Sequence, residues 1–283
     1  MRTLRKDRKI LFFDIDGTLA IGHDIPSSTQ QALKKLQAEG HLLMICTGRS
    51  YEYAYQYFHD VVDGFITSNG RYIVYHDQVL LDEPLTSSQI QYFMQVMRKH
   101  HCGFAFIDHQ RGYLENEDPI ALQDAIDHYL PGFYQTSFQD EDVTGYMFDI
   151  YFPSHTQFED VQLELKDSVV FNEHFPHPSA DATIIGVDKG DGIDKVLDYF
   201  SLSKDDAFAF GDGANDLCMF QHVTHSIAMG NAIEELKKQP NMLQLLLIMM
   251  GLKKLYSIIS LLIKRPFRVV FLHKKIQEKS WII

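Results

Sequence analysis

Runs of apolar residues closed by polar turns organise the first part of the chain. Ile10–Phe13 is continuously apolar, as expected of a parallel strand covered on both faces. Ala32, Leu33 and Leu36 follow at helical spacing behind Ser27 and Ser28, which can cap a helix, and Gly40 should end it. His41–Cys46 reads as a second buried strand. Phe65–Thr67 reads as a third, closing on Asn69-Gly70.

The middle of the chain has a different rhythm. Ile90, Phe93 and Met97 predict a helix over Gln89–Lys99, and Gly103–Ile107 a strand. Tyr146–Phe152 and Val169–Phe171 read as further strands, with a helix through Phe158, Val161 and Leu165 between them. The first rhythm then resumes. A helix runs through Ile193, Val196, Leu197 and Phe200, a strand over Ala207–Phe210, a helix from Asp216 and a strand over Ser226–Met229. This alternation predicts an α/β fold, a parallel sheet with helices on both faces, interrupted by an inserted α+β unit. The expected divisions are a core over residues 1–81 and 184–238, an insertion over 82–183, and a tail over 239–283.

Composition narrows the class. The chain has 283 residues with ordinary hydrophobic and charged fractions of 45% and 23%. Its three cysteines, Cys46, Cys102 and Cys218, lack metal-ligand spacing and read as reduced thiols of a cytoplasmic protein. The basic start leads into an apolar run too short for a signal peptide. A net charge of −12 argues against nucleic acid as a main partner. The charge is uneven, because residues 241–283 carry eight Lys/Arg against one acid, Glu278.

The strand ends carry the candidate chemistry, where ligands of parallel sheets bind. Asp14 and Asp16 leave the first strand two residues apart, so both carboxylates face the same way. Asp14 is a candidate nucleophile, and Asp16 a candidate general acid and base. Thr47 and the backbone N–H of Gly48, after the second strand, could hold phosphoryl oxygens. Alternatively, that segment is only a capped strand-to-helix turn. Lys189 could neutralise charge on a transferring phosphoryl group, although a lone Lys before Gly is usually only solvated. Gly211-Asp212-Gly213-Ala214-Asn215-Asp216 crowds acidic oxygens at a strand end and calls for Mg2+. Asp14 and Asp212 would ligate it directly, joined by the Asp16 backbone carbonyl. Asn215 would contact substrate, and Asp216 would orient Lys189 or a metal-bound water.

Together these four segments resemble the motifs of the haloacid dehalogenase superfamily, nearest its Cof-type phosphatases, over roughly residues 8–238. Asp14-Ile-Asp16-Gly-Thr-Leu resembles the first motif, Thr47-Gly48-Arg49 the second, Lys189-Gly190 the third, and Gly211-Asp212-Gly-Ala-Asn215-Asp216 the fourth. Ser68-Asn69-Gly70 and Ala228-Met229-Gly230-Asn231-Ala232 are also similar to family segments. The resemblance implies a Rossmann-like core and a cap that closes over the site and selects substrate. It also implies Mg2+-dependent hydrolysis of small phosphorylated metabolites, with Asp14 as nucleophile through an aspartyl phosphate and Asp16 as acid and base. A phosphomutase is an alternative within enzymes. A phosphometabolite-binding module of negligible turnover is the alternative outside them, and the paired Asp14 and Asp16 argue against it.

The resemblance breaks after Asn231-Ala-Ile-Glu-Glu-Leu-Lys-Lys. Family members continue with a segment like Ala-Asp-Tyr-Val-Thr, then Asp-Gly-Ile and a helix ending Ala-Leu. Codons built across those of Gln239–Tyr256 can spell Ala-x-Tyr-Val-Thr and Asp-Gly-Ile-x-Lys-Ala-Leu at the same spacing. The expectation is a frameshift near Lys238–Gln239, which also accounts for the charge reversal. The rival is a genuine basic, apolar tail able to lie on a membrane surface. Lys253-Lys254 leaves no membrane-spanning run, so no membrane partner is expected.

Overall fold

A computed structural model places residues 8–20, 25–127, 129–174, 177–239 and 242–244, the last three as backbone only. The chain divides into two compact units. Among the described residues, one comprises 8–20, 25–45, 60–63, 194–239 and 242–244, and the other 46–59, 64–127, 129–174 and 177–193. The expected insertion, 82–183, lies within the second unit, which also takes in residues 46–59, 64–81 and 184–193.

The first unit is built on parallel strands in the order Met242–Gln244, His225–Ala228, Ala207–Gly211, Ile10–Phe13 and Leu42–Cys46. Every residue of the last three strands is buried, which is why each reads as an unbroken apolar run. Phe13 and Phe210 pair in register and stack at 4.7 Å. Ser27–Ala38 packs through Ala32, Leu33 and Leu36. The expected serine cap is not made there. Pro26 holds the N-cap position, and its carbonyl accepts the Thr29 N–H at 2.8 Å. Gly40 ends the helix at φ +91°, with Gly40 N–H bonded to Gln37 O and His41 N–H to Leu36 O.

The second unit holds an antiparallel run of Gly64–Thr67, Tyr72–Tyr75 and Gln78–Asp82. It also holds a six-stranded sheet in the order Val169–Glu173, Ser179–Ile184, Met147–Tyr151, Gly103–Ile107, Gly112–Glu115 and Tyr134–Gln135. Side chains alternate across that sheet. Phe104, Phe106, Phe148, Ile150, Ala180 and Ala182 form one core with helices Ser87–Lys99 and His155–Leu165. A capping box starts the first of these helices: Thr86 Oγ1 accepts the Gln89 N–H at 3.3 Å, and Gln89 Oε1 accepts the Thr86 N–H at 3.0 Å.

Among the described residues, no helix is long and apolar enough to cross a membrane. The tail reading falls almost wholly outside the described residues. Within them, the Met242–Gln244 backbone pairs in parallel with Ser226–Ala228.

Candidate active site

Asp14 follows the last residue of the Ile10–Phe13 strand, and its backbone N–H donates to Phe210 O at 3.0 Å. It is 5% exposed. The chain then turns back on itself: Ile15 O accepts the Thr18, Leu19 and Ala20 N–H groups, and Gly17 N–H donates to Ala20 O. Gly17 has φ +78°, a conformation that glycine adopts without strain. Asp16 stands exposed on this turn.

Register places the Gly211–Asp216 turn beside Asp14. Asp216 is buried, and its Oδ2 accepts the backbone N–H groups of Asp212 at 2.8 Å and Gly213 at 3.0 Å. Asp216 thereby fixes the loop that carries Asp212. Thr18 Oγ1 donates to Asp212 Oδ1 at 3.3 Å, and Asn231 Nδ2 donates to Asp212 Oδ2 at 2.8 Å and to Gly17 O at 3.1 Å. Carboxylate oxygens of Asp14, Asp212 and Asp216 all lie within 4.8 Å of one another. Three hard oxygens so close, two of them on buried residues, suit Mg2+, which takes oxygen ligands and retains water. This group includes Asp216 and does not include the Asp16 side chain. Asn215 is exposed on the same turn.

The second unit holds Thr47, Gly48 and Lys189. Thr47 is buried at the end of its strand, with its N–H on Ile66 O at 2.9 Å and its Oγ1 accepting the Arg49 N–H at 3.1 Å. Ser50 caps helix Tyr51–Phe58 by accepting the Tyr53 N–H at 3.2 Å. Tyr129 donates from its hydroxyl to Ser50 Oγ at 2.9 Å, and burial pushes that phenol up to about 12. Lys189 opens helix Lys189–Phe200 and is 1% exposed, far from the solvated lysine its sequence context suggests. Asp188 caps that helix by accepting the Gly190 N–H at 2.7 Å and the Asp191 N–H at 3.1 Å. Gly70, at φ +97°, packs against the Asp188 carbonyl so closely that a Cβ would overlap it.

Two participants carried no signal of their own in the sequence reading of the site. Asn231 bridges Gly17 and Asp212, and Asn69 donates from Nδ2 to Thr183 Oγ1 at 3.3 Å. Both lie in the segments noted above as family-like, which was the available clue.

A sequence profile of haloacid dehalogenase-like hydrolases matches residues 11–244. YkrA of Bacillus subtilis (strain 168) is 31% identical over 245 residues, covering 82% of this chain and 90% of YkrA. An HMP-PP phosphatase of Yersinia pseudotuberculosis serotype O:1b (strain IP 31758) is 26% identical over 247 residues, covering 84% and 89%. Among solved structures, a protein of Geobacillus kaustophilus HTA426 superposes with TM-score 0.72 at 27% identity, covering 84% of this chain and 93% of that one. The HAD subclass IIB sugar phosphatase BT4131 superposes with TM-score 0.70 at 25% identity, covering 83% and 93%.

Proposed function

We propose that this chain, which belongs to the haloacid dehalogenase-like hydrolases, is a phosphatase that hydrolyses small phosphorylated metabolites, sugar phosphates or similar, through an aspartyl phosphate on Asp14. The observation that carries the reading is the convergence of Asp14, Asp212 and Asp216 beside two buried parallel strand ends. A binding module has no need of a buried carboxylate nucleophile facing an anion.

The Asp14 carboxylate attacks phosphorus while Asp16 gives its proton to the leaving oxygen. Asp16 then takes a proton from water, whose oxygen attacks the same phosphorus, and Asp14 is released as a carboxylate with inorganic phosphate as product. Thr47 Oγ1 and the Gly48 N–H bind phosphoryl oxygens, Lys189 offsets their charge, and Asn215 contacts substrate. Asp14 and Asp212, with the Asp16 carbonyl, hold Mg2+, and Asp216 holds Asp212 in place. The metal supplies charge stabilisation for the phosphoryl oxygens. Residues 82–183 act as the cap that selects substrate, and cytoplasmic small molecules are the expected partners.

The test is phosphate release from a panel of small phosphomonoesters, with Mg2+ or with EDTA, by the native chain and by Asp14→Asn. The reading expects metal-dependent release that the substitution abolishes. Release that continues in EDTA or in Asp14→Asn would overturn it. Transfer of phosphate between positions of a sugar, without release, would favour the phosphomutase alternative.

A further inference from the structure

The six-stranded sheet of the second unit has a second face. Phe104, Phe106, Phe148 and Ile150 pack on the two helices. Asp149, Tyr151 and Asp181 occupy alternate positions and therefore point the other way. Asp149 and Asp181 sit directly opposite each other on neighbouring antiparallel strands, where like charges repel. Burial, then the Asp181 carboxylate, push Asp149 well above the usual carboxylate range. Burial also opposes charge on Asp181, but its hydrogen bond with His174, Nε2 to Oδ1 at 2.9 Å, wins and holds Asp181 below that range. A side-chain hydrogen bond joins the two carboxyls, and protonation falls on Asp149 before Asp181. The remaining Asp149 oxygen, Oδ1, is closed to water and has no hydrogen-bond partner among the described residues. Such an orphan acceptor lowers stability and marks a place where something else is meant to donate.

A second orphan lies on the same surface. Asn69 is 7% exposed and holds a left-handed backbone, φ 53° and ψ 41°, that costs free energy for a residue with a side chain. Its N–H bonds Thr47 O at 3.2 Å, and its Nδ2 bonds Thr183, two positions beyond Asp181 on the same strand and face. Its Oδ1 is buried without a partner and would lie 3.1 Å from a Cβ on Gly48. Arg49 follows in the same turn, its guanidinium 4.9 Å from the Tyr53 ring centre and 5.9 Å from that of Tyr129. Tyr129 lies 5.4 Å from Tyr134, which shares a side-chain hydrogen bond with Tyr151. From the Thr47–Gly48 turn, a surface of tyrosine rings, one guanidinium and unpaired acceptors therefore leads to the Asp149–Asp181 pair, all within one unit.

We propose that this surface binds the organic part of the phosphorylated substrate, and that Asp149 and Asn69 select a group there that donates through nitrogen, an amino or amidino group. Aromatic rings beside unpaired acceptor oxygens suit such a group, and a hydroxyl gives them one donor where an ammonium gives three. A site built around a missing donor discriminates strongly against an analogue that lacks it. This inference rests on the phosphatase reading above.

The experiment compares kcat/KM for three pairs that exchange amino for hydroxyl. They are glucosamine and glucose phosphates esterified at the primary hydroxyl, pyridoxamine and pyridoxine phosphates, and phosphoethanolamine and ethylene glycol phosphate. The native chain is expected to favour the amine in at least one pair by about tenfold or more. Asp149→Leu, which removes the carboxyl and with it the acceptor, is expected to bring that ratio to about one. Asp149→Asn, which keeps a carbonyl oxygen and can donate from its amide to Asp181, is expected to keep most of it. A native ratio near one in all three pairs overturns the proposal, as does a ratio that persists in Asp149→Leu. Should the leucine variant fail to fold, an unchanged ratio in Asp149→Ala overturns it equally. Folded native protein that hydrolyses none of the six esters defeats the phosphatase reading itself, and this inference with it.

Discussion

Gly17 packs against the carboxylate of Asp212 so closely that a methyl group there would overlap Oδ2 and lie 2.7 Å from Cγ. The turn after Asp14 and the turn carrying Asp212 are therefore fitted to each other at a position where only glycine is accommodated. Gly17→Ala should force the Asp212 carboxylate away. It should also add about 1–2 kcal/mol of left-handed strain. The expected result is at least a hundredfold loss of phosphate release, together with a lower unfolding midpoint. Both are read on the same preparation by product assay and thermal melting.

Asp216 should matter through the backbone it holds. Asp216→Ala leaves the Asp212 and Gly213 N–H groups without their acceptor. An N–H left unpaired away from water costs about 1–3 kcal/mol, and less where water reaches it, as at these half-buried residues. Asp216→Asn can keep one or both bonds through its carbonyl oxygen, so it should recover much of the stability. Chemical denaturation of the two variants checks the order, and equal midpoints would contradict it.

Much of this arrangement was legible in the sequence, for a physical reason. Strands such as Ile10–Phe13 and Ala207–Gly211 are covered on both faces, so their burial is written as unbroken apolar runs. The candidate residues then follow at the strand ends. Ser179–Ile184 was not legible, because Ser-Ala-Asp-Ala-Thr-Ile has no large apolar side chain before its last residue. Asp149 read as one polar position inside a strand. Its importance depends on facing Asp181, and register between distant strands is not a local property. Lys189 stood out by its position alone, since a lysine before glycine gives no local sign that tertiary packing will bury it. Asn231 reaches Asp212 only through the fold.

Stability should fall on mild acidification. Burial lowers the titration of both His41 and His225 below the ordinary histidine range. His41 Nδ1 also accepts the Lys9 N–H at 3.3 Å, which requires the unprotonated nitrogen. The unfolded chain takes up protons below about pH 6.5 while the folded chain resists them. The stability these neutral rings provide is thus full above that pH and is lost as pH falls through it. The unfolding midpoint should drop between pH 7.5 and 5.5, and less steeply in His41→Asn. His174, raised by its hydrogen bond with Asp181, works in the opposite direction over the same range, so the contradicting result is an identical pH dependence in native and His41→Asn protein.

The segment after Lys238 offers a separate test. Met242–Gln244 pairs beside His225–Ala228, where codons read in the shifted frame can spell a segment like the family's own. A chain carrying the alternative frame from Lys238 onward should unfold at a higher temperature and aggregate less. An unchanged midpoint would count against the frameshift reading.

The most direct measurement of the central claim is to trap the covalent intermediate. Native protein turning over a small phosphomonoester with Mg2+ is quenched and reduced with borohydride, which converts an aspartyl phosphate to homoserine. The peptide spanning Ile10–Ala20 is then sequenced by mass spectrometry. The account predicts homoserine in place of Asp14 and unmodified Asp16. Turnover without modification of Asp14, or modification at another carboxylate, would contradict it.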